Sequence, residues 1–377
     1  MVGPATEPLD TFTIALTEPL DLNHARPTND SERLAFRNLR ADLVTVDCQG
    51  DLRPGVVRSW TADSPETLTL TLEAPADTTS GISLSAAGVA NRLAPGGEPQ
   101  IPGMDSAVVL NVRQLRLFIT ASHDAVLRAL GDPAVAVPDG LPFQGVQRAT
   151  VLNMPGFPNG PALQFRLPPL GDPRDALDRG ADLMVTREPA LLEYAARRPG
   201  FAVHPLPWSR TYALIQMEQA PPLAAATTEL ERESLARDAV QVDARAAEPP
   251  FWWTESSCTA ANLPAASPRS DRVVYLREDE VARALAERLV ALAGPRERLT
   301  AAGLDHWQMT SALRQGSERA YVISLPKQPI QPCRDLAELP AGTRIRPLID
   351  SRAHAIVRHG APPLSVDWDG TVRVVRP

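Results

Sequence analysis

Lysine is nearly missing from this chain: Lys327 stands alone among 38 basic residues, so the cations are arginines, a bias that fits a GC-rich genome rather than a function. Cysteine is scarce too. Cys48, Cys258 and Cys333 form no C-x-x-C pair and have no histidine at ligand spacing, which argues against a zinc site; no other metal and no cofactor is expected. No run approaches the length of apolar residues that a membrane-spanning helix needs. The first residues, MVGPATEPLD, show neither a charged nor an apolar leader segment, so the chain reads as soluble as given. Either a leader has been removed or the protein stays in the cytoplasm; residues alone leave both open. Excess positive charge is absent as well. A formal net charge of -7 and a pI near 5.5 argue against a nucleic-acid partner. Nucleophile elbows, phosphate loops, HExxH pairs and glycine fingerprints are all missing. The six histidines are scattered, and His354 and His359, five apart, point to opposite faces of an extended segment. An enzyme is not expected.

What is present is globular: 377 residues, 44% hydrophobic and 22% charged, enough for one large domain or two to three ordinary ones. With 38 prolines, turns and edge strands should be many and long helices few. Residues 179–217 organise the chain. Residues 181–185 form a short apolar run opened by Gly180, suited to a buried strand. A helix follows, with Thr186 as its cap, Pro189 in its first turn and Leu191, Leu192, Tyr194 and Ala195 on its apolar face, until Pro199 and Gly200 stop it. A second strand spans 201–206, broken by Pro205 and Pro207, and a third spans 213–217. Strand, helix, strand, strand implies an α/β layer. Elsewhere, a capped helix is expected around Ser31, Leu34, Phe36 and Leu39, and a strand with Leu68, Leu70 and Leu72 on one face. Helices are expected behind Ser85 and Ser122, an amphipathic helix through Val281, Leu285, Leu289 and Leu292, and a C-terminal hairpin at Asp369-Gly370.

Several phrases resemble the periplasmic solute-binding proteins of ABC importers, in the peptide- and nickel-binding group called family 5. Gly180, Asp182 and Tyr212 occupy matching places in the central unit, and Leu22-Asn23-His24 stands where that family has a Leu-Asp-Pro loop. The most specific likeness is Asp47, Gly50, Pro54, Ser59 and Trp60, all in register. Departures follow: 37–43 replaces a Tyr-Glu phrase, 73–91 has lost an aromatic and a helix acid, and of a later helix phrase only Asp243 and Arg245 remain in kind. The resemblance thus describes a shortened and degenerate member. It implies an α/β, two-lobe, type II periplasmic-binding-protein-like fold with mixed sheets and an interlobe cleft. Residues 1–220 form lobe I, with 343–377 returning to it, and 221–342 form lobe II. It also implies a location in the periplasm or elsewhere outside the cytoplasm. If the chain is exported, Cys258 and Cys333, both in lobe II, are the pair for a disulfide; the alternative is three unrelated thiols.

Such sites need aromatic walls and a few fixed polar groups. Trp208, Arg210 and Tyr212 end a strand near the first crossover, and Phe251, Trp252 and Trp253 stand in a loop of lobe II; these six are the expected ligand-binding residues. Arg can pair with a carboxylate while indoles flank a side chain. The reading is therefore a monomeric receptor that captures a peptide-like or other small solute and hands it to an ABC permease. The alternative is a ligand-free structural or interaction subunit of a membrane-associated assembly that kept the fold.

Overall fold

Alternating burial along short apolar runs starts the fold. In β1 (Thr11–Ala15), Phe12 and Ile14 are fully buried on one face, with Thr13 and Ala15 on the other. α1 (Asp30–Leu39) is capped by Asn29, whose side chain accepts the Glu32 N–H. Ser31, the expected cap, lies inside the first turn instead, and its hydroxyl accepts the N–H groups of Thr17 and Glu18. The helix is buried on all sides from Ser31 to Leu39. Three short strands follow, β2 (Arg40–Ala41), β3 (Val44–Val46) and β4 (Leu52–Pro54). Next come β5 (Val57–Ser64), β6 (Thr67–Leu72), α2 (Ala86–Arg92), β7 (Met104–Asn111) and β8 (Gln114–Ile119). Ser85 caps α2 through the Gly88 N–H, and Ser122 caps α3 (His123–Ala129) through the Ala125 N–H, both as expected from the sequence. β9 (Val137–Pro138), β10 (Val151–Met154), β11 (Ala162–Arg166), α4 (Arg174–Asp178) and β12 (Leu183–Thr186) lead to α5 (Pro189–Ala196). Pro189 sits at the start of α5, where its missing N–H costs nothing. Thr186 does not cap that helix; its hydroxyl accepts the Glu188 N–H one turn earlier.

β13 (Phe201–Met217) is one strand of 17 residues, not two. Pro205 and Pro207 do not break it because, among the described residues, β17 (Ala320–Pro326) pairs with it only from Arg210 onward. On that side the prolines occupy an edge that needs no N–H donor. The rest of the chain forms α6 (Glu229–Ala239), β14 (Ala244–Ala246), β15 (Arg272–Leu276), α7 (Glu280–Ala293), β16 (Thr300–Leu304), α8 (His306–Gln315), β17, β18 (Thr343–Arg358), β19 (Leu364–Val366) and β20 (Val372–Val374). Asp243 and Arg245 thus belong to a strand region, not to a helix. The computed structural model describes residues 11–18, 20, 27, 29–73, 85–94, 101–138, 151–154, 161–166, 172–217, 223, 228–239, 243–247, 270–294, 298–327, 339 and 342–375. Cys258 and Cys333, the pair considered for a disulfide, lie outside them.

The chain divides into two compact units, Met1–Pro207 with Ala353–Pro377, and Trp208–Arg352. The sequence reading put the divisions near 220 and 342, in proline-rich loops; the compact units divide inside β13 and β18. In the first unit β11 and β12 flank β1 in parallel, β10 runs antiparallel to β11, and residues 354–357 of β18 run antiparallel to β12. Phe12, Ile14, Phe165 and Leu183 pack on one face with Leu34, Phe36 and Leu39 of α1, while Ala15, Met184 and Ile356 pack on the other with Leu177, Leu191 and Ala195. Asp182 ties this sheet together: its carboxylate accepts the Thr13 N–H at 2.8 Å, and its carbonyl accepts the Arg358 N–H. Gly180 has φ +91, and a Cβ there would press on the Arg358 guanidinium, which faces the Asp182 carboxylate at 3.4 Å. A separate antiparallel sheet, in the order β5-β6-β8-β7, buries Leu68, Leu70, Leu72, Leu115, Leu117 and Ile119. Trp60 stands opposite Leu70 and is half-buried.

The second unit is a sheet with helices on both faces. β13 runs antiparallel to β17, which pairs in parallel with β15, and β15 in parallel with β16; β14 pairs with residues 349–351 of β18. Tyr212 and Leu214 join Leu235 of α6 and Leu285 and Leu289 of α7 on one face. Ile215 and Met217, one residue out of phase, join Met309 of α8 on the other. Asp305 and Gln308 form a reciprocal capping box at the start of α8, and Gly316 ends it in the left-handed conformation.

An ion network locks the C-terminal hairpin to α1. Arg37 donates to Asp42 at 2.9 Å and to Asp369 at 3.2 Å, and its Nε lies 3.6 Å from Asp367. Arg33 stands 3.8 Å from Asp369, while Arg373 donates to Asp367 at 2.7 Å and pairs with Asp42. Asn38 of α1 completes the lock, donating to the Val372 carbonyl and accepting the Val374 N–H. Burial pushes the Asp367 carboxyl up, to about 7, with Arg37 opposing and Asp369 adding to the rise. The folded state therefore holds a proton that the unfolded chain releases near the ordinary carboxylate value, and stability falls as pH rises between that value and about 7. Melting curves from about pH 5 to about pH 8 should show this loss in the parent and a flatter profile in Asp367→Asn, whose neutral side chain cannot titrate. Equal slopes in the two proteins would remove Asp367 as the cause.

Candidate functional site

Along β13 the even-numbered residues Trp208, Arg210 and Tyr212 share one face, so the strand's period of two brings the three expected residues into a row. Their surroundings differ. Tyr212 is 1% exposed and belongs to the core under α6 and α7, where its hydroxyl donates to Asp279 at 3.1 Å. Asp279 is also the N-cap of α7, accepting the Ala282 N–H at 3.0 Å. Tyr212 is thus a packing residue that braces a helix start, which narrows the exposed row to Trp208 and Arg210, both half-buried.

Trp208 is held by two arginines absent from the sequence expectation. The Arg245 guanidinium carbon lies 4.7 Å from the indole centroid and that of Arg352 lies 4.9 Å away. Each cation is oriented by a carboxylate: Arg245 by Asp350 at 3.3 Å, and Arg352 by Asp243 at 2.7 Å. Asp350 is in turn fixed by the Thr211 hydroxyl at 2.6 Å and is nearly fully buried. The local register explains the gathering, since β14 pairs Arg245 with Asp350 of β18. Guanidinium planes near an indole make a flat surface rich in N–H donors, chemistry suited to a carboxylate or to the polar edge of an amide. Arg245 and Asp243 were visible in the sequence as the remnant of a helix phrase, and only the structure shows that Arg245 faces Trp208 and that Asp243 orients Arg352. Arg352 carried no signal of its own.

Trp208, Arg210 and Tyr212 belong to the unit Trp208–Arg352, whereas the sequence reading put these three in the first lobe. Phe251, Trp252 and Trp253 lie outside the described residues. Among the described residues, no three His, Cys, Asp or Glu side chains gather as a metal-binding group, and no helix is long and apolar enough to cross a membrane.

No protein-family profile matches the chain, and no curated protein matches it in sequence. Solved structures do match in shape. A dipeptide binding protein from Pseudoalteromonas sp. SM9913 in complex with Met-Leu aligns at TM-score 0.63 and 12% identity, over 96% of this chain and 98% of that one. NikA from Staphylococcus aureus in complex with Ni(L-His)2 aligns at 0.63 and 12%, over 97% and 98%. MppA, a periplasmic murein tripeptide binding protein in its unliganded open form, aligns at 0.58 and 12%, over 97% and 96%. These neighbours are binding proteins, not enzymes, and they carry different ligands or none. The chain therefore has the mixed α/β fold of the two-lobe periplasmic binding proteins of the peptide- and nickel-binding type, family 5.

Proposed function

We propose that this protein is a non-enzymatic, extracytoplasmic solute-binding protein that captures a peptide-like or other small solute for an ABC permease. The observation that carries the reading is the near full-length likeness to binding proteins whose ligands include a dipeptide and a nickel–histidine complex. Trp208 and Arg210, with Phe251, Trp252 and Trp253, are the proposed ligand contacts. Arg245 and Arg352, steered by Asp350 and Asp243, add donors suited to an anionic group on the solute. Thermal shift and tryptophan fluorescence against short peptides, amino acids and metal chelates test this. A ligand at 100 times its dissociation constant should stabilise the fold by about 2.7 kcal/mol. Trp208→Ala should remove most of that gain while keeping the fold.

One observation favours a second reading. Trp208 is already engaged by Arg245 and Arg352, and Tyr212 is committed to the core, so expected contact residues on β13 are already occupied within the protein. A structural or interaction subunit that kept the fold and lost the solute fits that arrangement. A flat response across the whole library selects this reading over the receptor.

A further inference from the structure

We propose that Arg40 and Arg92 form a binding site for one oxyanion, a carboxylate or a phosphate group, beside residues 131–136 of the first unit. Three segments bring the two cations together. Arg40 directly follows α1 and opens β2, whose pairing with β9 sets it against Pro138. Arg92 is the last residue of α2. Their guanidinium groups reach consecutive carbonyls of one buried segment: Arg40 Nη1 donates to Pro133 at 3.5 Å, and Arg92 Nη2 donates to Ala134 at 2.7 Å. Neighbouring residues are about 3.8 Å apart along a chain, so two like charges are held side by side. Arg40 is 6% exposed and lies over the Phe36 ring, 3.6 Å from its centroid, which closes one face of its guanidinium to water.

Negative charge is what the pair is short of. Arg92 is half-buried and forms no ion pair among the described residues, and its Nε is buried without a hydrogen-bond partner. The carboxylate on the same segment, Asp132, accepts the Ala134 N–H at 2.7 Å, and its charge bears on Arg37. The ends of α1 and α2 supply about half a negative charge each, against two full positive ones. Burial and the charge of Arg92 push Arg40 down to about 10, and burial lowers Arg92 as well. Arg37, just as deeply buried, is raised instead, because Asp369, Asp367 and Asp132 surround it. A buried cation short of counter-charge is costly, and an oxyanion supplies both the charge and acceptors for N–H groups that the carbonyls leave unused. This site goes beyond the solute-binding reading, since it uses none of the residues proposed to contact the solute.

Titration of the whole chain with inorganic phosphate at constant ionic strength tests the site, read by thermal shift and calorimetry, with acetate as a second arm. The parent should gain stability in a saturable way. Arg92→Gln and Arg40→Gln should each weaken phosphate binding by about tenfold or more, the loss of one charge-assisted contact. Arg197→Gln, at an exposed cation of α5, should leave it unchanged. Without phosphate, Arg92→Gln should melt no lower than the parent, because it relieves the repulsion between the two cations. A response to phosphate alone assigns the site to a phosphate group, and an equal response to acetate assigns it to a carboxylate. A parent that neither anion stabilises overturns the proposal and leaves Arg92 a structural donor to Ala134. So does a phosphate response that is the same in the parent and in both variants, which marks an adventitious ion only.

Discussion

Arg37→Ala is expected to cost about 3–5 kcal/mol of folding stability, the range for removing one partner from a buried ion pair. The side chain is 2% exposed and donates to Asp42 and Asp369, both 1% exposed, with its Nε facing Asp367 at 3.6 Å. Taking it away leaves three buried carboxylates with Arg33 and Arg373 as the neighbouring cations. Burial by itself lowers the pKa of Arg37, yet Asp369, Asp367 and Asp132 together hold it above its ordinary value, so the charge is secured by its partners. Arg37→Lys keeps the charge but cannot reach three carboxylates from a rigid fork, and should fall between the parent and Arg37→Ala. The measurement is the denaturation midpoint in urea, with hydrogen exchange to show where protection goes first. The β19–β20 hairpin should open before the core of the second unit, because Arg37 and Asn38 are what fasten it to α1. A loss under about 1 kcal/mol would show that the network contributes only as much as exposed ion pairs do.

That network marks where the sequence could be read and where it could not. The hairpin at Asp369-Gly370 was legible, because a turn dipeptide between alternating apolar residues is a local signal. Arg37 and Asp42 were visible only as departures from a family phrase, since their partners in the C-terminal hairpin lie more than 300 positions away and no local rule reports such a contact. Trp368, 1% exposed, escaped notice for the same reason: its backbone N–H donates to the Val46 carbonyl of the distant β3. Period-two alternation located β6, and a stripe at period 3.6 located α7. Prolines misled in β13, because a rule about interior strands was applied to a stretch with an open edge. In the candidate site, the shared face of Trp208, Arg210 and Tyr212 was legible, but which of them meets solvent was not. Burial depends on what α6 and α7 place over the strand, and that is a matter of packing between distant segments.

Tyr212 carries the second large effect, and it separates the two roles that the sequence left mixed. Tyr212→Ala should destabilise the protein by about 3–5 kcal/mol, the loss for emptying the site of a buried aromatic ring. Its ring sits with Leu214, Leu235, Leu285 and Leu289, so the hole would open where α6 and α7 meet the sheet. Tyr212→Phe keeps the ring and removes only the hydroxyl, and the cost should drop to about 1 kcal/mol, because Asp279 still accepts the Ala282 N–H and continues to cap α7. A residue that lined a ligand surface would behave in the opposite way. Its alanine variant would fold nearly as well as the parent, and even the phenylalanine variant would lose affinity if the hydroxyl met the solute. Urea denaturation of both variants, with titration of any solute found by thermal shift, distinguishes these outcomes. A Tyr212→Ala protein as stable as the parent would return Tyr212 to the ligand side of β13, whereas a large loss with unaltered affinity in Tyr212→Phe leaves Trp208 and Arg210 as the residues of that strand which can meet a solute.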